Sequence, residues 1–296
     1  MIIVKLMGGL GNQMFQYAVG RSLALKWHCD LYLDLEFLVN TPQNTTSRSY
    51  ELDIFNIKAN IASKDILKCV PLSRKDNFRL TIQKIFGNEN VIQYVKERTI
   101  DFDRCILDLP DNVYLDGYWQ SEKYFVGIRD IIINDFVFLK HPSESNQKIL
   151  NEIQKCNSVS IHIRRGDYIS NPKTRRIHFI CDDSYYQKAL EIIMRQIEKP
   201  HFFVFSDDAE WARTHIIPDA RVRYITHNIE KQNYEDLRLM MHCQHHIIAN
   251  SSFSWWGAWL GKKEGQVVIA PGKWFNTKNY KSSARLPSTW LIADTK

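Results

Sequence analysis

Short runs of apolar, mostly β-branched residues alternate along the chain with segments in which apolar residues recur every three to four positions. Ile2–Leu6 is the first such run, and it predicts a buried strand. A glycine loop ends it, and helical spacing then extends from Asn12 to about Cys29. A second run follows at Leu31–Asp34. The pattern predicts a strand-loop-helix-strand opening.

The middle of the chain is less regular. Residues 40–110 are largely polar, and we expect loops and helices there without a motif. Val113–Tyr118 is predicted as a strand and Glu122–Asp135 as a helix. The polar, helix-capping segment Pro142–Asn146 marks the domain boundary. We therefore predict an N-terminal domain over residues 1–145 and a C-terminal domain over residues 146–296.

The second half alternates clearly between strands and helices. The predicted strands are Val159–Ile163, Phe202–Phe205, Val222–Ile225, Ile247–Ala249 and Val267–Ile269. The predicted helices are Asp183–Ile197, Ala209–Thr214, Tyr234–Cys243 and Phe253–Leu260. A loop is predicted after the first of these strands, through Pro172. Such alternation predicts an α/β fold with a parallel sheet and helical crossovers, and two such halves predict two Rossmann-like domains with a cleft between them.

Composition narrows the class of protein without changing this fold. The chain has 296 residues, 44% hydrophobic and 24% charged, which excludes disordered, collagenous and coiled-coil proteins. The formal net charge of +6 suits a phosphorylated substrate or an anionic membrane face. No block of five or more basic residues occurs, so a nucleic-acid module is the least supported class.

Cysteine use and the N-terminus indicate the compartment. The six cysteines are scattered and none forms CxxC, which argues against a zinc ribbon and a disulfide framework. The first apolar run is too short for a signal peptide, and no window is long and apolar enough to span a membrane. We therefore expect a cytoplasmic protein with reduced thiols.

The motif His162-Ile-Arg-Arg-Gly-Asp-Tyr168 follows a predicted strand. Ligands of open α/β sheets bind at this end of the strands. Arg164 and Arg165 could grip a pyrophosphate bidentately and stabilise the charge that develops on a leaving phosphate. Asp167 could orient an arginine. A surface cluster of salt bridges is the alternative, and the motif alone does not decide between them.

Two further strands end in polar residues. Ser206-Asp207-Asp208 could hold a metal or a ribose, but we favour a simple N-cap for the helix that begins at Ala209. Asn250-Ser251-Ser252 leads into a helix, which suits an anion cradle, with capping as the alternative. Trp255, Trp256 and Trp259 fall at helical spacing, so we assign them to the core. Asp236, near another helix start, has a dipole-stabilised surface carboxylate as its alternative.

The glycine loop Gly8-Gly-Leu-Gly-Asn-Gln-Met14 has the context of a dinucleotide fingerprint, with a strand before it and a helix after it. Met14 stands where the third glycine belongs, and Asp34 is the one acid placed for a ribose. An NAD(P)-dependent oxidoreductase that uses Gly8–Gly11 therefore stays open.

Other motifs favour no metal or hydrolase chemistry. Asp101-Phe-Asp103 spells a metal-binding pair, but its flanks show no clear buried strand. His242, His245 and His246 lack metal-ligand geometry on one helix face because a strand begins there. A Gly-x-Ser-x-Gly motif is absent from the sequence, so a serine hydrolase is unsupported.

Taken together, four segments resemble the α-1,2-fucosyltransferases of glycosyltransferase family 11. They are GGLGNQMFQYA at 8–18, HIRRGDY at 162–168, FSDD at 205–208 and IIANSSFSWWGAWL at 247–260. They occur in the family's order and span nearly the whole chain. The resemblance implies a GT-B fold, with two Rossmann-like domains facing a central cleft and a C-terminal tail that returns to the first domain.

The resemblance also implies the reaction. It is the inverting, metal-independent transfer of L-fucose from GDP-fucose to the 2-hydroxyl of a terminal galactosyl acceptor. No cofactor or metal is expected, because arginines neutralise the departing GDP. The expected setting is bacterial O-antigen synthesis on a galactoside or lipid-linked glycan, in the cytoplasm with peripheral contact at the inner membrane face. A non-catalytic nucleotide- or glycan-binding protein is the second rival to this interpretation.

Individual roles follow from the same resemblance. Arg164 is placed on the diphosphate as the main catalytic residue, with Arg165 in support, and Asn12 is placed near the acceptor and the fucose. The donor-binding residues are His162, Arg164, Asp236, Asn250, Ser251, Ser252 and Phe253, of which His162 and Asp236 hold the guanine. The acceptor-side residues are Gly9, Gly11, Asn12 and Gln13.

The general base is not identified by the sequence. Inversion calls for deprotonation of the acceptor hydroxyl, but Tyr168–Pro172, after the arginine pair, contains no acid. Asp167 is the nearest candidate. A dissociative transition state with little help from a base is the alternative.

Overall fold

The chain divides into two compact units, Met1–Lys140 and His141–Lys296. The structure, a computed structural model, describes residues 1–42, 46–71, 91–229, 232–276 and 285–293, without the side chains of Asp167 and Lys173. We predicted a domain boundary after residue 145. That position lies inside the helix Glu144–Ile153, whose N-cap is Ser143, and the whole helix belongs to the second unit, which begins at His141.

The first unit is built on a five-stranded parallel sheet in the order β3-β2-β1-β5-β4. Its strands are β1 (Ile2–Lys5), β2 (Leu31–Asp34), β3 (Asn60–Ile61), β4 (Gln93–Lys96) and β5 (Val113–Asp116). Its described α-helices are α1 (Leu10–Lys26), α2 (Glu36–Val39), α3 (Lys64–Lys68) and α4 (Arg129–Asp135). Its described 3-10 turns are Leu52–Ile54, Arg104–Asp108, Glu122–Tyr124 and Val126–Ile128. The predicted strand-loop-helix-strand opening is confirmed.

The helix predicted over Glu122–Asp135 is wrong in its first half, where two 3-10 turns precede α4. The backbone N–H groups of Tyr124, Phe125 and Ile128 each donate to the carbonyl three residues earlier, which is the 3-10 pattern. Tyr124 and Phe125 are both buried in this arrangement. Residues 72–90, within the stretch where we expected loops and helices, lie outside the described residues.

Gly20 allows α1 to pack closely on the first sheet. A Cβ atom at this position would lie 2.4 Å from Val4 Cγ2 and 2.8 Å from Leu31 Cδ1. Both neighbours are fully buried or nearly so, and they have little room to move in a densely packed interior. The helix therefore approaches β1 and β2 more closely than any side chain at this position would permit.

We expect Gly20→Ala to lower the free energy of unfolding by about 1–3 kcal/mol through overpacking. Alanine gains about 1 kcal/mol in helix propensity over glycine, which works against the expected loss. Urea denaturation of the purified protein measures the balance. Ser22→Ala, in the same helix, is the matched control. Stability equal to the wild type's in Gly20→Ala would contradict the packing argument.

The second unit is built on a six-stranded parallel sheet in the order β11-β10-β9-β6-β7-β8. Its strands are β6 (Ser158–Ile163), β7 (His201–Ser206), β8 (Arg221–Ile225), β9 (His245–Ile247), β10 (Val268–Pro271) and β11 (Leu291–Ala293). Its described helices are α5 (Glu144–Ile153), α6 (Gly166–Ser170), α7 (Pro172–Ile177), α8 (Asp183–Gln196), α9 (Ala209–His215), α10 (Asn233–His242) and α11 (Ser252–Leu260). The predicted alternation of strands and helices is confirmed.

One expectation about the second unit is corrected. The loop predicted through Pro172 contains α6 and α7, and Pro172 begins α7, a position that suits its fixed φ and missing N–H. Near the C-terminus, Leu291–Ala293 pairs with β10 and forms the edge of the second sheet. The return of the C-terminal tail to the first domain stays a prediction, since residues 294–296 lie outside the described ones.

Apolar packing accounts for most of the aromatic residues of the second unit. Every residue of β6 is buried, as expected for a central strand covered on both faces. Trp255, Trp256 and Trp259 are buried in mutual contact, which confirms their assignment to the core.

All six cysteines are free, and none of the described helices is long and apolar enough to span a bilayer.

Candidate active site

The carboxyl edge of the second sheet brings together residues from three separate sequence motifs. β6 lies between β7 and β9, so the segments that follow these strands are neighbours. They are Arg164–Gly166 after β6, Asp207–Asp208 after β7 and Asn250–Ser252 after β9. This is the edge where ligands of open α/β sheets bind.

Asp207 holds the turn that carries Arg164. Its Oδ2 accepts from Arg164 Nη1 at 2.9 Å, and its Oδ1 accepts from the backbone N–H of Arg165 at 2.8 Å. A Cβ atom at position 166 would lie 2.9 Å from Oδ2, so Gly166 makes this approach possible. The Arg164 side chain is 26% exposed, and it is therefore both oriented and accessible to a ligand.

Arg165 is directed elsewhere. Its guanidinium lies 4.0 Å from the centroid of the Trp211 ring, and its Nε donates to Asp208 Oδ2 at 3.3 Å. Asp208 also caps α9 by accepting from the N–H of Trp211 at 3.1 Å, which confirms the predicted N-cap. The expectation that both guanidiniums grip one pyrophosphate is therefore corrected: stacking and ion pairing hold Arg165 against α9.

Sequence reasoning missed the second role of the Ser-Asp-Asp segment. We treated Asp207 as a helix cap, whereas it orients Arg164 across 43 residues of chain. We had expected Asp167 to orient an arginine, and its side chain lies outside the described residues. The strand order contains the missing signal, because β7 is a direct neighbour of β6.

His162 is a buried, neutral histidine. Burial, aided by the nearby charge of Arg164, lowers the pKa of His162 to about 3. Its Nδ1 has no hydrogen-bond partner among the described residues, and its ring lies 5.7 Å from that of Phe253, centroid to centroid. Buried polar atoms normally have a partner, so this nitrogen suits a ligand contact.

Asn250 has a structural task that differs from the predicted one. Its Nδ2 donates to the carbonyl of Phe179 at 2.6 Å and to that of Trp274 at 3.0 Å. Its Oδ1 accepts from Cys181 Sγ at 3.5 Å. The buried amide uses both hydrogens and joins three segments of the second unit, and a contact of Asn250 with the donor stays a prediction.

The residues after Asn250 begin α11. Ser251 is the N-cap and accepts from the N–H of Phe253 at 3.3 Å, so the capping alternative is present here. Ser252 and Phe253 are the first residues of the helix and are partly exposed. The positive end of α11 therefore lies at the same edge as Arg164, and both favour an anion.

Asp236 lies on α10 and is partly buried, not the surface carboxylate of the alternative interpretation. Its Oδ1 accepts from Asn228 Nδ2 at 2.8 Å. Burial raises the pKa of Asp236 to about 7, the bond from Asn228 lowers it, and the charge of Glu235 raises it. This side chain therefore titrates near neutral pH.

In the first unit, Gln13 fastens the glycine loop. Gly8 has a φ of +78°, a conformation that glycine adopts readily. The side chain of Gln13 donates to the carbonyls of Gly8 and Ser49 at 2.9 and 2.8 Å. It also accepts from the N–H of Glu51 at 3.0 Å. The buried amide of Gln13 is thus used within the unit, and its assignment to the acceptor side stays a prediction.

The other predicted acceptor-side residues differ in exposure. Gly11 is buried within α1, and its assignment to the acceptor side stays a prediction. Gly9 is the N-cap of α1 and is partly exposed. Asn12 is also partly exposed, and its Oδ1 accepts from Gln120 Nε2 at 2.7 Å. Gly9 and Asn12 therefore remain suitable for a ligand contact.

Asp34 does not suit the ribose of a dinucleotide. It is buried, and its Oδ1 accepts from the N–H of Glu36 at 2.9 Å. Its Oδ2 accepts from the hydroxyl of Tyr114 at 2.5 Å. A carboxylate used in this way within the first unit counts against the oxidoreductase that the glycine loop had left open.

The remaining acidic and histidine motifs have internal roles. Asp103 caps the 3-10 turn Arg104–Asp108 by accepting from the N–H of Cys105 at 2.9 Å. His246 shares a hydrogen bond with Ser160 at 2.8 Å, and His245 accepts from the N–H of Val267 at 3.1 Å. Within the described ranges, no group of three or more His, Cys, Asp or Glu side chains could hold a metal ion.

Parallel α/β units, with an oriented arginine and a helix N-terminus at one sheet edge, define a class of proteins suited to binding phosphorylated ligands. The chain matches the family described as glycosyl transferase family 11 over residues 1–293, and it belongs to that family. It is 32% identical over 295 residues to the alpha-1,2-colitosyltransferase of Escherichia coli, covering 98% of each chain. It is 34% identical over 301 residues to the Escherichia coli O-antigen biosynthesis glycosyltransferase WbnK, covering 97% of this chain and 98% of that one.

A solved structure agrees on the fold. The structure of a mutant of Arabidopsis thaliana FUT1 in complex with GDP is similar with a TM-score of 0.54 at 11% identity, covering 90% of this chain and 69% of that one. The resemblance noted in the sequence, the α/β fold of GT-B type and the assignment as an enzyme are thus confirmed. The chain is a glycosyltransferase of the galactoside α-1,2-fucosyltransferase family.

Proposed function

We propose that this enzyme transfers L-fucose from GDP-fucose to the 2-hydroxyl of a terminal galactosyl residue, with inversion and without a metal ion. One observation carries the proposal: Asp207 fixes Arg164 beside the N-terminus of α11 at the carboxyl edge of the second sheet. This is a prepared site for a diphosphate. Family membership supplies the chemistry of the transfer.

In this mechanism the second unit binds the donor. Arg164 contacts the diphosphate and stabilises the negative charge that develops as GDP departs. Neutral His162 and the carboxylate of Asp236 bind the guanine. The Nδ1 of His162, to which no described residue donates and from which none accepts, supports that role. Arg165 keeps the turn in place through Trp211.

The first unit binds the acceptor in this proposal, with Gly9 and Asn12 as the contact residues. Asp167 is the candidate for the general base, since it is the acid nearest to Arg164 in sequence. The departure of GDP is assisted by charge that is already in place, so the transfer depends less on a strong base.

The relatives suggest the biological setting and a second donor. The O-antigen enzyme of Escherichia coli supports an acceptor in bacterial surface polysaccharide, reached in the cytoplasm or at the inner membrane face. The colitosyltransferase supports GDP-colitose as a second candidate donor, because colitose is L-fucose without its 3-hydroxyl. Transfer assays with both donors on galactosides decide between them.

We expect GDP and GDP-fucose to raise the melting temperature of the protein. GDP-mannose, UDP-galactose and NADH serve as comparison ligands. A ligand at 100 times its Kd stabilises the native state by about 2.7 kcal/mol. The measurement is thermal melting with each ligand, with and without EDTA. A shift that EDTA abolishes would contradict the metal-free site, and a shift with NADH alone would contradict the donor.

A further inference from the structure

A chain of hydrogen bonds ends at Asp236 and links three elements of the second unit. On α5, Asn146 Nδ2 donates to Asn228 Oδ1 at 2.9 Å. From the segment after β8, Asn228 Nδ2 donates to Asp236 Oδ1 on α10 at 2.8 Å. His227 Nε2 lies 2.8 Å from Asn146 Oδ1. Each amide is thus oriented by its neighbour.

The amide of Asn146 is buried and needs its hydrogen bonds to be made. Asn146 is only 1% exposed, and burying a polar amide is unfavourable unless its hydrogen bonds are made. Here its carbonyl and its amino group both have partners. The result is that the Asn228 amino group is directed at one oxygen of Asp236, while no described group donates to Oδ2.

We propose that Asn228, held in place by Asn146, is a positioning residue that keeps the Asp236 carboxylate oriented and ionised to accept N–H groups of a guanine base. The inference rests on the proposed function, in which Asp236 binds the base. Guanine presents N1–H and a 2-amino group on one edge, and an ionised carboxylate can accept from both. A protonated carboxyl group offers fewer acceptors and adds a donor.

The charges around Asp236 make the role of Asn228 necessary. Burial and the charge of Glu235 raise the pKa of Asp236, and the bond from Asn228 opposes them. On α10, Arg238 pairs with Glu235 at 2.8 Å. Burial and Arg223 lower the pKa of His227, so that ring is neutral near pH 7. Helices α11 and α5 both pack against α10. Helix α11 has no titratable side chain, and on α5 Glu144 pairs with Lys148 while Glu152 pairs with Arg221 and Arg223.

The proposed contact makes GDP binding depend on pH. The guanine base binds the ionised form of Asp236, so GDP affinity falls as pH drops through the pKa of Asp236 in the unliganded protein. Without the amino group of Asn228 that pKa rises further, and the fall begins at a higher pH. A shift of one pKa unit changes affinity by about tenfold at pH values below the transition.

The test is isothermal titration calorimetry, which measures the affinity of the full chain for GDP and for IDP from pH 6 to pH 9. IDP lacks the 2-amino group. The variants are Asn228→Ala, which removes the donor, and Asn228→Asp, which also adds a like charge. Asn151→Ala removes an exposed amide of α5 and is the matched control. Melting temperatures establish that each variant is folded.

We expect the pH at which GDP affinity falls to rise from wild type to Asn228→Ala and again to Asn228→Asp. For a shift of one pKa unit, the loss for Asn228→Ala is about fivefold at pH 7, close to the pKa of Asp236, and approaches about tenfold below it. The loss shrinks by pH 9, and the preference for GDP over IDP falls with it. Affinity that is unchanged, or reduced equally at every pH, would overturn the inference, the second pattern showing a merely structural role. If one variant does not fold, the other carries the test. Failure of the wild type to bind GDP at any pH would instead overturn the proposed function.

Discussion

Arg164→Ala is expected to lower kcat by on the order of 10²-fold or more, in line with the loss of a main electrostatic stabiliser of the transition state. The guanidinium is held by Asp207 at 2.9 Å, so it is in place before the donor binds. Charge that needs no reorganisation is most effective when negative charge develops on the departing GDP. The effect is therefore expected in kcat more than in KM.

Arg164→Lys is expected to fail as well. An ammonium group is a single compact charge and cannot contact Asp207 and a phosphate with the planar fork of a guanidinium. Initial rates of transfer from GDP-fucose to a galactoside measure both variants. Arg176→Ala, an exposed arginine on α7, is the matched control and should retain wild-type rates. Near-normal turnover by Arg164→Ala would contradict the role assigned to this residue.

Asp207→Asn is expected to lower kcat by roughly tenfold to 10²-fold, because displacing a catalytic group by about 1 Å can cost 10²-fold. The asparagine can still accept one hydrogen bond from the backbone of Arg165. Its amino group, however, would face the N–H groups of Arg164 in place of an accepting oxygen. The turn is retained and the guanidinium loses its anchor.

A double mutant separates this positioning role from a general loss of structure. If Asp207 acts through Arg164, Asp207→Asn should add little to the loss already caused by Arg164→Ala. Asp219→Asn, an exposed carboxylate in the same unit, is the control. Fully additive losses in kcat would show that Asp207 acts independently of Arg164.

Secondary structure was most predictable where one local pattern dominates. β2 occupies the predicted residues Leu31–Asp34. Its bounds were predictable because the spacing of apolar residues changes on both sides of the strand. The helix over Glu122–Asp135 was overextended, since the spacing of apolar residues does not distinguish an α-helix from the two 3-10 turns that precede α4. The pairing of β11 with β10 was not predicted, because tertiary packing selects the partner of an edge strand.

The candidate site shows the same division. The motif around Arg164 and the segment from Asn250 were found from sequence, because each follows a strand and has a recognisable composition. Their separate tasks were not found. Whether an arginine faces a ligand or stacks on Trp211 depends on contacts made across the sheet.

The sequence by itself determined the alternation of strands and helices, the two α/β halves, the family and the position of Arg164 at a strand end. Only the tertiary structure decided that Asp207 orients Arg164, that the amides of Gln13 and Asn250 are consumed within their units, and that Asn228 supports Asp236. The physical reason is the sequence separation over which each interaction acts. Periodicity and capping act over a few residues, whereas these hydrogen bonds join segments that are brought together by strand order and helix packing.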